Sequence, residues 1–462
     1  MAELSLAEVA SATDGALLGG SPALRVSRYA IDSRAIDGGE LFFALIGPRH
    51  DGHRFLADAY RRGATAAVIS EPDSPGPAVR VADTTLALRR LGRHVRQHWG
   101  RTVVGITGSC GKTTTKDMLH RILAARHRVL ATRGNLNNLY GLPLMLLELT
   151  DQHDAAVLEM GVSTPGEMTP LADLARPNVG VLLNVQAVHL LHFASLDDIA
   201  RTKGALFEAL GADGIAVYNA DDARVAALAA RHPGRKIAFG LQAPPGEAVG
   251  AERIEDGGPE RIAARVRCGA QQADLVLPLG GRHNLMNALA ALAAAHALGE
   301  PLPRAAAALA GFVPAHHRGE RHALTGGVVV WDESYNSNPA AMRAVLATLA
   351  AARPAGRRVL VAGDMLEIGP TEVEEHAALA ADIRRAGVGL FVGVGPLMAG
   401  TVARLRQEGE LTATHCDDAA AAARLVPTLV RDGDLVLVKG SRGIGVDAVV
   451  TALLAARGGV AA

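Results

Sequence analysis

The run Gly105-Ile-Thr-Gly108-Ser-Cys-Gly111-Lys112-Thr113-Thr-Thr-Lys116 constrains this chain more than any other stretch. It follows the apolar Thr102-Val103-Val104 and opens a segment with Met118, Leu119, Ile122 and Leu123 on one face. A strand, a glycine turn and a helix start are therefore expected in that order. Together they make a phosphate cradle, because backbone N–H groups and the helix N-terminus point at anionic oxygens. Lys112 would reach the terminal phosphates, and the Thr113 hydroxyl would bind Mg²⁺. Gly108, Ser109, Cys110, Gly111, Lys112, Thr113 and Thr114 are the expected ATP-binding loop. A strict G-x-x-x-x-G-K-[ST] motif needs glycine at 106, where Ile106 stands. The G-x-x-G-x-x-G-K-T variant points away from motor and switch nucleotidases.

The chain around this loop is too long, at 462 residues, for one ordinary core, so two to four domains are expected. Residues 1–82 read as a small α/β unit, with strands at 41–46 and 66–69 and a helix at 55–62. Residues 83–314 form a central unit that starts with a helix to Trp99. Its apolar runs at 129–131, 155–159, 179–185 and 215–218 alternate with helical segments, which indicates a buried parallel sheet. A strand-rich tail over 236–280 and an Ala/Leu-rich helix over 284–298 complete it. Residues 315–462 repeat the rhythm with strands at 328–331, 359–362, 390–394 and 435–438, a doubly wound, Rossmann-like unit. No G-x-G-x-x-G opens that unit, so NAD is not expected. Lys+Arg and Asp+Glu balance at 47 each, so no net field attracts nucleic acid or an anionic membrane. No run is long and apolar enough to span a bilayer, and no secretory leader is recognisable. Cys110, Cys268 and Cys416 lack metal spacing and read as free thiols of a cytoplasmic protein.

Downstream of the loop, Glu159 ends one strand, His189 follows the next, and Lys203 lies on the helix after that. A carboxylate and an imidazole near an ATP loop can complete Mg²⁺ coordination with Thr113. Lys203 is the odd member, since an ammonium repels a cation. Taken singly, His189 reads as structural and Lys203 as a solvated helix residue. Asn135 and Asn138 offer amides in the loop Gly134–Asn138, or simply make a turn. Asn284 and Asn287 open the 284–298 helix, where amides could read a purine edge or serve as caps. Arg318 stands at a unit junction and could reach a transferring phosphoryl. Asp332, Glu333, Tyr335, Asn336 and Asn338 end one strand of the third unit, and Ser441 and Arg442 follow another. Strand ends facing one crevice describe an ATP-driven ligase better than a simple ATPase.

The ordered set resembles the Mur ligase family of peptidoglycan synthesis over essentially the whole chain. It is carried by Asp32-Ser33-Arg34…Asp51-Gly52-His53, by Gly134-Asn-Leu-Asn-Asn138…Gly141-Leu-Pro143, and by Tyr335-Asn-Ser-Asn338-Pro with Gly363-Asp364-Met365-Leu-Glu367. The Tyr-Ala-His-Thr-Pro and Asp-Asn-Pro-Arg segments of the branch that adds the third amino acid are absent. The resemblance implies three α/β domains: a UDP-sugar domain, a P-loop ATPase domain and a Rossmann-like ligase domain. It places Ser33, Arg34, Asp51 and His53 on the UDP-sugar, and Asn284 and Asn287 on adenine. Arg318 would face the γ-phosphate, and either Asp332 or Glu333 the ribose. Thr113, Glu159, His189 and Lys203 would hold two Mg²⁺ ions, Lys203 as a carbamate, an anionic oxygen ligand suited to a hard cation. Catalytic roles fall to Lys112, Lys203, His189 and Arg318. Asn135, Asn138, Tyr335, Asn336, Asn338, Ser441 and Arg442 would bind substrate.

The implied reaction joins D-Ala-D-Ala to UDP-MurNAc-tripeptide through an acyl phosphate, in a monomeric enzyme without nucleic-acid or membrane partners. A folylpolyglutamate-type ligase is the nearest rival, but it has no need of a UDP-sugar domain. A non-catalytic ATP-sensing scaffold has no need of the metal ligands.

Overall fold

The computed structural model describes residues 2–47, 50–188, 190–409 and 411–460, which build three large sheets and a two-stranded ribbon. The first sheet runs in the order Ala16–Leu18, Ala78–Arg80, Ala66–Ile69, Glu40–Phe43, Arg28–Ala30. All its pairings are parallel except that of the edge strand Ala16–Leu18. Phe42, Phe43, Val68 and Ile69 are all buried, as a parallel strand covered on both faces requires.

Among the described residues the central sheet has nine strands. From Ala248–Asp256 through Arg235–Gly240, Ile215–Asn219, Val179–Leu182, Thr102–Thr107 and Ala155–Glu159 to Val129–Ala131, every pairing is parallel. Ile262–Cys268 and Gln271–Leu277 then continue the edge antiparallel. The reason is legible in Ile262–Cys268, where Ile262, Ala264, Val266 and Cys268 point inward while Arg265 and Arg267 face water. Period-two alternation suits an antiparallel strand with one wet face.

The strand Thr102–Thr107 lies between Val179–Leu182 and Ala155–Glu159, so the chain leaves it on one side and returns on the other. That makes its carboxyl end a topological switch point, where open α/β sheets bind ligands. The helix Lys112–Ala124 follows, burying Met118, Leu119, Ile122 and Leu123 against the helix Arg282–Ala297. Alanines fill the latter helix and are buried on nearly every side, which lets it pass close to both neighbours. On the opposite face, the helix Thr84–Trp99 shares one apolar cluster with Leu41, Phe43 and Val68 of the first sheet and Val103 and Leu158 of the central one. It is the joint between them.

The third sheet runs Thr412–Cys416, Leu390–Val394, Arg358–Gly363, Leu435–Lys439, Val328–Glu333, Glu320–Leu324, Gly459–Val460, the last two antiparallel. Thr412–Cys416 and Glu320–Leu324 were not anticipated, because polar residues interrupt both runs and conceal their pairing. Leu435–Lys439 inserts between Arg358–Gly363 and Val328–Glu333. The strand ends Glu333, Lys439 and Gly363 therefore stand side by side.

Candidate active site

Two glycines allow the phosphate loop its close approaches. Gly108 has φ 154°, and a Cβ there would meet Leu183 at 2.8 Å; Gly111 has φ 86°, and a Cβ would meet Asn287 Oδ1 at 2.2 Å. The segment after strand Val179–Leu182 braces the loop. Cys110 N–H donates to Asn184 Oδ1 at 2.9 Å, and Asn184 Nδ2 donates back to the Cys110 carbonyl at 3.1 Å. Ser109 Oγ donates to the Gln186 carbonyl and accepts the Gln186 N–H at 2.8 Å. Lys112 Nζ donates to the Gly108 carbonyl at 2.8 Å, which holds the ammonium across the loop.

Thr113 Oγ1 donates to Glu159 Oε2 at 2.8 Å, and Asn137 Nδ2 donates to Glu159 Oε1 at 2.8 Å. Glu159 is buried at the end of its strand, where Thr132 Oγ1 accepts its N–H. Lys203, on the helix Leu196–Glu208, is among the largest fully enclosed side chains. Burial pushes its amine down to about 7, and the neighbouring Lys112 cation adds to the effect. His189 lies outside the described residues. A hydroxyl and a carboxylate in direct contact beside a phosphate loop are hard oxygen donors, and they fit Mg²⁺.

A cleft of about 400 Å³ opens over the loop. Residues 109–114 form one wall; Phe239, His283, Asn284 and Asn287 close one end; and Arg318, Glu333, Tyr335, Asn338 and Lys439 form the facing wall. Asn284 Nδ2 donates to the Gly280 carbonyl at 2.8 Å, and Asn287 Oδ1 accepts from Thr115 Oγ1 at 3.4 Å. Burial pushes His283 down to about 4, so its ring is neutral. The Arg318 guanidinium sits 3.8 Å from the Tyr335 ring centroid, which fixes its plane. Burial raises the Glu333 carboxyl and lowers the Lys439 ammonium, each partly offset by the other at 4.0 Å. Asn338 caps the helix Pro339–Ala351 through Oδ1 and donates from Nδ2 to Cys110 Sγ at 3.2 Å. The third sheet thus touches the phosphate loop directly.

An adjoining hollow of about 320 Å³ shares Ser109, Lys112, Asn336 and Asn338 with the cleft, and adds Leu366, Ile368, Ser441 and Arg442. Ser441 Oγ accepts the Leu366 N–H at 2.9 Å, tying two strand-end loops together.

Other anticipated residues stand elsewhere. Asp332 is wholly enclosed and its carboxylate is held by Ser334 and His317; Glu333, not Asp332, lines the cleft. Ser33, Arg34, Asp51 and His53 line neither hollow. Arg34 is bound to Asp32, and His53 spans Asp51 and the Ser70 N–H. In the Gly134–Asn138 loop, Asn135 is exposed and Asn138 accepts the Tyr140 and Gly141 N–H groups. The member that reaches Glu159 is Asn137. Sequence reasoning also left out Asn184, which follows the end of the strand Val179–Leu182 and which the carboxyl-end rule applied to every parallel strand would have found. Two groupings of potential metal donors, Asp51/His53/Glu71 and Glu320/His322/Asp332, are assigned no cation. His53 Nε2 already accepts a backbone N–H, and the Asp332 oxygens are already engaged.

Comparison with known proteins bears on this arrangement. Models of the Mur ligase family catalytic domain, the Mur ligase middle domain and the Mur ligase glutamate ligase domain match residues 25–91, 106–295 and 317–442. The UDP-N-acetylmuramoyl-tripeptide--D-alanyl-D-alanine ligase of Escherichia coli is 34% identical, covering 98% of this chain and 99% of its own. Its namesake in Bacillus subtilis is 32% identical, covering 92% of each. Among solved structures, MurF from Acinetobacter baumannii superposes with TM-score 0.89 at 30% identity, covering 98% of this chain and 99% of its own. MurF ligase from Thermotoga maritima, solved in complex with ADP, superposes with TM-score 0.81 at 28% identity, covering 92% and 96%.

Proposed function

Because this chain belongs to the Mur ligase family, we infer that it is the ATP-dependent ligase joining D-alanyl-D-alanine to UDP-N-acetylmuramoyl-tripeptide, which forms the pentapeptide precursor of peptidoglycan. The observation that carries the reading is the single cleft shared by the phosphate loop and the strand ends of the third sheet. A carboxylate, a triphosphate and an amine can meet there.

The terminal carboxylate of the tripeptide attacks the γ-phosphorus of ATP; a P–O bond forms, the bond to ADP breaks, and an acyl phosphate results. Lys112 and Arg318 lie on opposite walls and spread the charge that develops on the transferring group. The dipeptide amine then attacks the acyl carbon, phosphate leaves, and the amine gives up a proton. Water would destroy the acyl phosphate, so closure of the third sheet's loops over the phosphate loop, through contacts such as Asn338 to Cys110, protects it.

Thr113, Glu159, His189 and Lys203 are proposed to hold Mg²⁺, which would neutralise the phosphate oxygens. Lys203 does so as a carbamate: enclosure disfavours its ammonium and leaves the neutral amine that CO₂ requires. Asn284 and Asn287 are assigned to adenine and Glu333 to the ribose. Asn336, Asn338, Tyr335, Ser441 and Arg442 take the dipeptide, Arg442 offering a cation to its carboxylate and Leu366 and Ile368 apolar surface to its methyls. Ser33, Arg34, Asp51 and His53 follow the carboxyl ends of the parallel strands Arg28–Ala30 and Glu40–Phe43, which supports a UDP-sugar site there, with Asn135 and Asn138 toward the peptide. A cytoplasmic monomer suffices, since one chain supplies both walls of the cleft; among the described residues no helix is long and apolar enough to cross a membrane.

The test is ADP release with UDP-MurNAc-tripeptide, with and without D-Ala-D-Ala. Turnover that requires both supports the reading. ADP release indifferent to the dipeptide would refute it.

A further inference from the structure

We propose that His317 is a nucleotide-binding residue whose imidazole, oriented by the enclosed Asp332, accepts a hydrogen bond from a ribose hydroxyl of ATP. The proposal rests on the cleft being the ATP site and deepens that assignment.

The backbone is the first observation. His317 has φ 63°, in the left-handed region that disfavours a side chain bearing a Cβ. Glycine would adopt the same conformation freely, as Gly319 does two residues on with φ 91°. A bulky residue held in such a conformation needs a surrounding structure that enforces it. That structure is present. The His317 carbonyl accepts the Tyr335 N–H at 3.2 Å, and the Gly319 N–H donates to the Asp332 carbonyl at 2.9 Å. The turn is thereby pinned to the end of the strand Val328–Glu333.

The side chain is pinned as well. Asp332 Oδ2 lies 2.7 Å from His317 Nδ1, while Asp332 Oδ1 accepts from the Ser334 N–H at 2.9 Å and the Ser334 hydroxyl at 2.6 Å. With both carboxylate oxygens accepting, the proton between the pair belongs to Nδ1, and the tautomer follows. The His316 ring backs the imidazole at a centroid distance of 3.6 Å. In the neutral ring Nε2 is then the lone-pair nitrogen, on a ring that lines the cleft.

The chemistry of that wall decides what the lone pair meets. Phosphates at neutral pH bring acceptor oxygens, and Arg318, next in sequence, supplies donors for them. A second acceptor has no use for a phosphate. The ribose hydroxyls have protons to give, and Glu333 on the same wall is the other acceptor placed to take one. His317 and Glu333 would together fix the sugar, and through it the direction in which the triphosphate enters the loop.

The experiment measures equilibrium binding of ATP, 2′-deoxy-ATP and 3′-deoxy-ATP by titration calorimetry to the full chain, the wild type beside His317→Ala and His317→Gly. One neutral hydrogen bond predicts a loss of ATP affinity of about tenfold or less in both variants. It also predicts that the wild-type preference for ATP over one of the deoxy analogues largely disappears. His317→Gly should melt above His317→Ala without ligand, because both lose the partner of the enclosed Asp332 and only glycine relieves the backbone, while both lose the same nucleotide preference. That result separates a binding role from a structural one. The proposal is overturned if the ATP-to-deoxy ratios are unchanged in the variants, or if affinity for all three nucleotides falls equally. Wild-type protein that binds none of them would overturn the ATP assignment itself. Ligation is not read, so a mistaken acceptor substrate does not affect the outcome.

Discussion

Gly111→Ala tests whether the phosphate loop and the helix Arg282–Ala297 are one mechanical unit. Two costs arise. Alanine at φ 86° pays roughly 1–2 kcal/mol for a left-handed backbone. Its Cβ would also stand 2.2 Å from Asn287 Oδ1, 3.1 Å from Cγ and 3.4 Å from Nδ2, so the amide must swing away or the helix must shift. Such overpacking costs about 1–3 kcal/mol. The single variant should therefore lose roughly 2–5 kcal/mol by the sum of those terms. The steric part depends on Asn287 alone. Asn287→Ala removes the obstructing atoms and gives up only long hydrogen bonds, at 3.4 Å to Thr115 and Asn284. In the double variant the clash is gone and the backbone cost remains, so the pair should be less damaging than the sum of the singles by about 1–3 kcal/mol. Equilibrium urea unfolding of the four proteins measures this coupling. Additivity to within about 0.5 kcal/mol would refute the argument. ATP affinity should fall at least about tenfold in Gly111→Ala, since the loop N–H groups and the Asn287 amide are both displaced.

Three further outcomes are expected. Lys112→Ala should lower the ligation rate by about 10²–10³-fold, through loss of one cation that follows charge onto the transferring phosphoryl; near-wild-type turnover would remove Lys112 from the mechanism. Asn338→Asp keeps an oxygen to cap Pro339–Ala351 but loses the N–H that reaches Cys110, so KM for D-Ala-D-Ala should rise more than KM for ATP; equal changes would move this segment to the nucleotide. Lys203→Ala should be nearly inactive and partly restored by small carboxylates in the buffer. Intact mass and NMR with isotope-labelled bicarbonate should show the carbamate in wild type, and an unmodified lysine in active, Mg²⁺-loaded enzyme would exclude it.

Local signals determined a good deal of this protein. The glycine spacing with its preceding strand and following helix defines the phosphate loop, since only glycine takes φ 86° at Gly111 without strain. The apolar runs at 155–159 and 390–394 match the observed strands because strands buried on both faces show no polar interruption. Glu159 was legible for the same reason, as a charge closing an apolar run. Tertiary structure decided what composition and order leave open. Asp332 and Glu333 are neighbours of similar chemistry, and the pleat turned one into the protein and the other toward the cleft. Asn137 rather than Asn135 or Asn138 meets Glu159, because the path of one loop selects among three amides. Glu320–Leu324 pairs with Val328–Glu333 although its three consecutive polar residues, Glu320, Arg321 and His322, do not announce a strand. Its register carries Glu320 opposite Asp332, and the turn at His317 leads into it. Side-chain identity is local, but which nitrogen of His317 is free depends on a carboxylate 15 residues away, and only folding sets that distance.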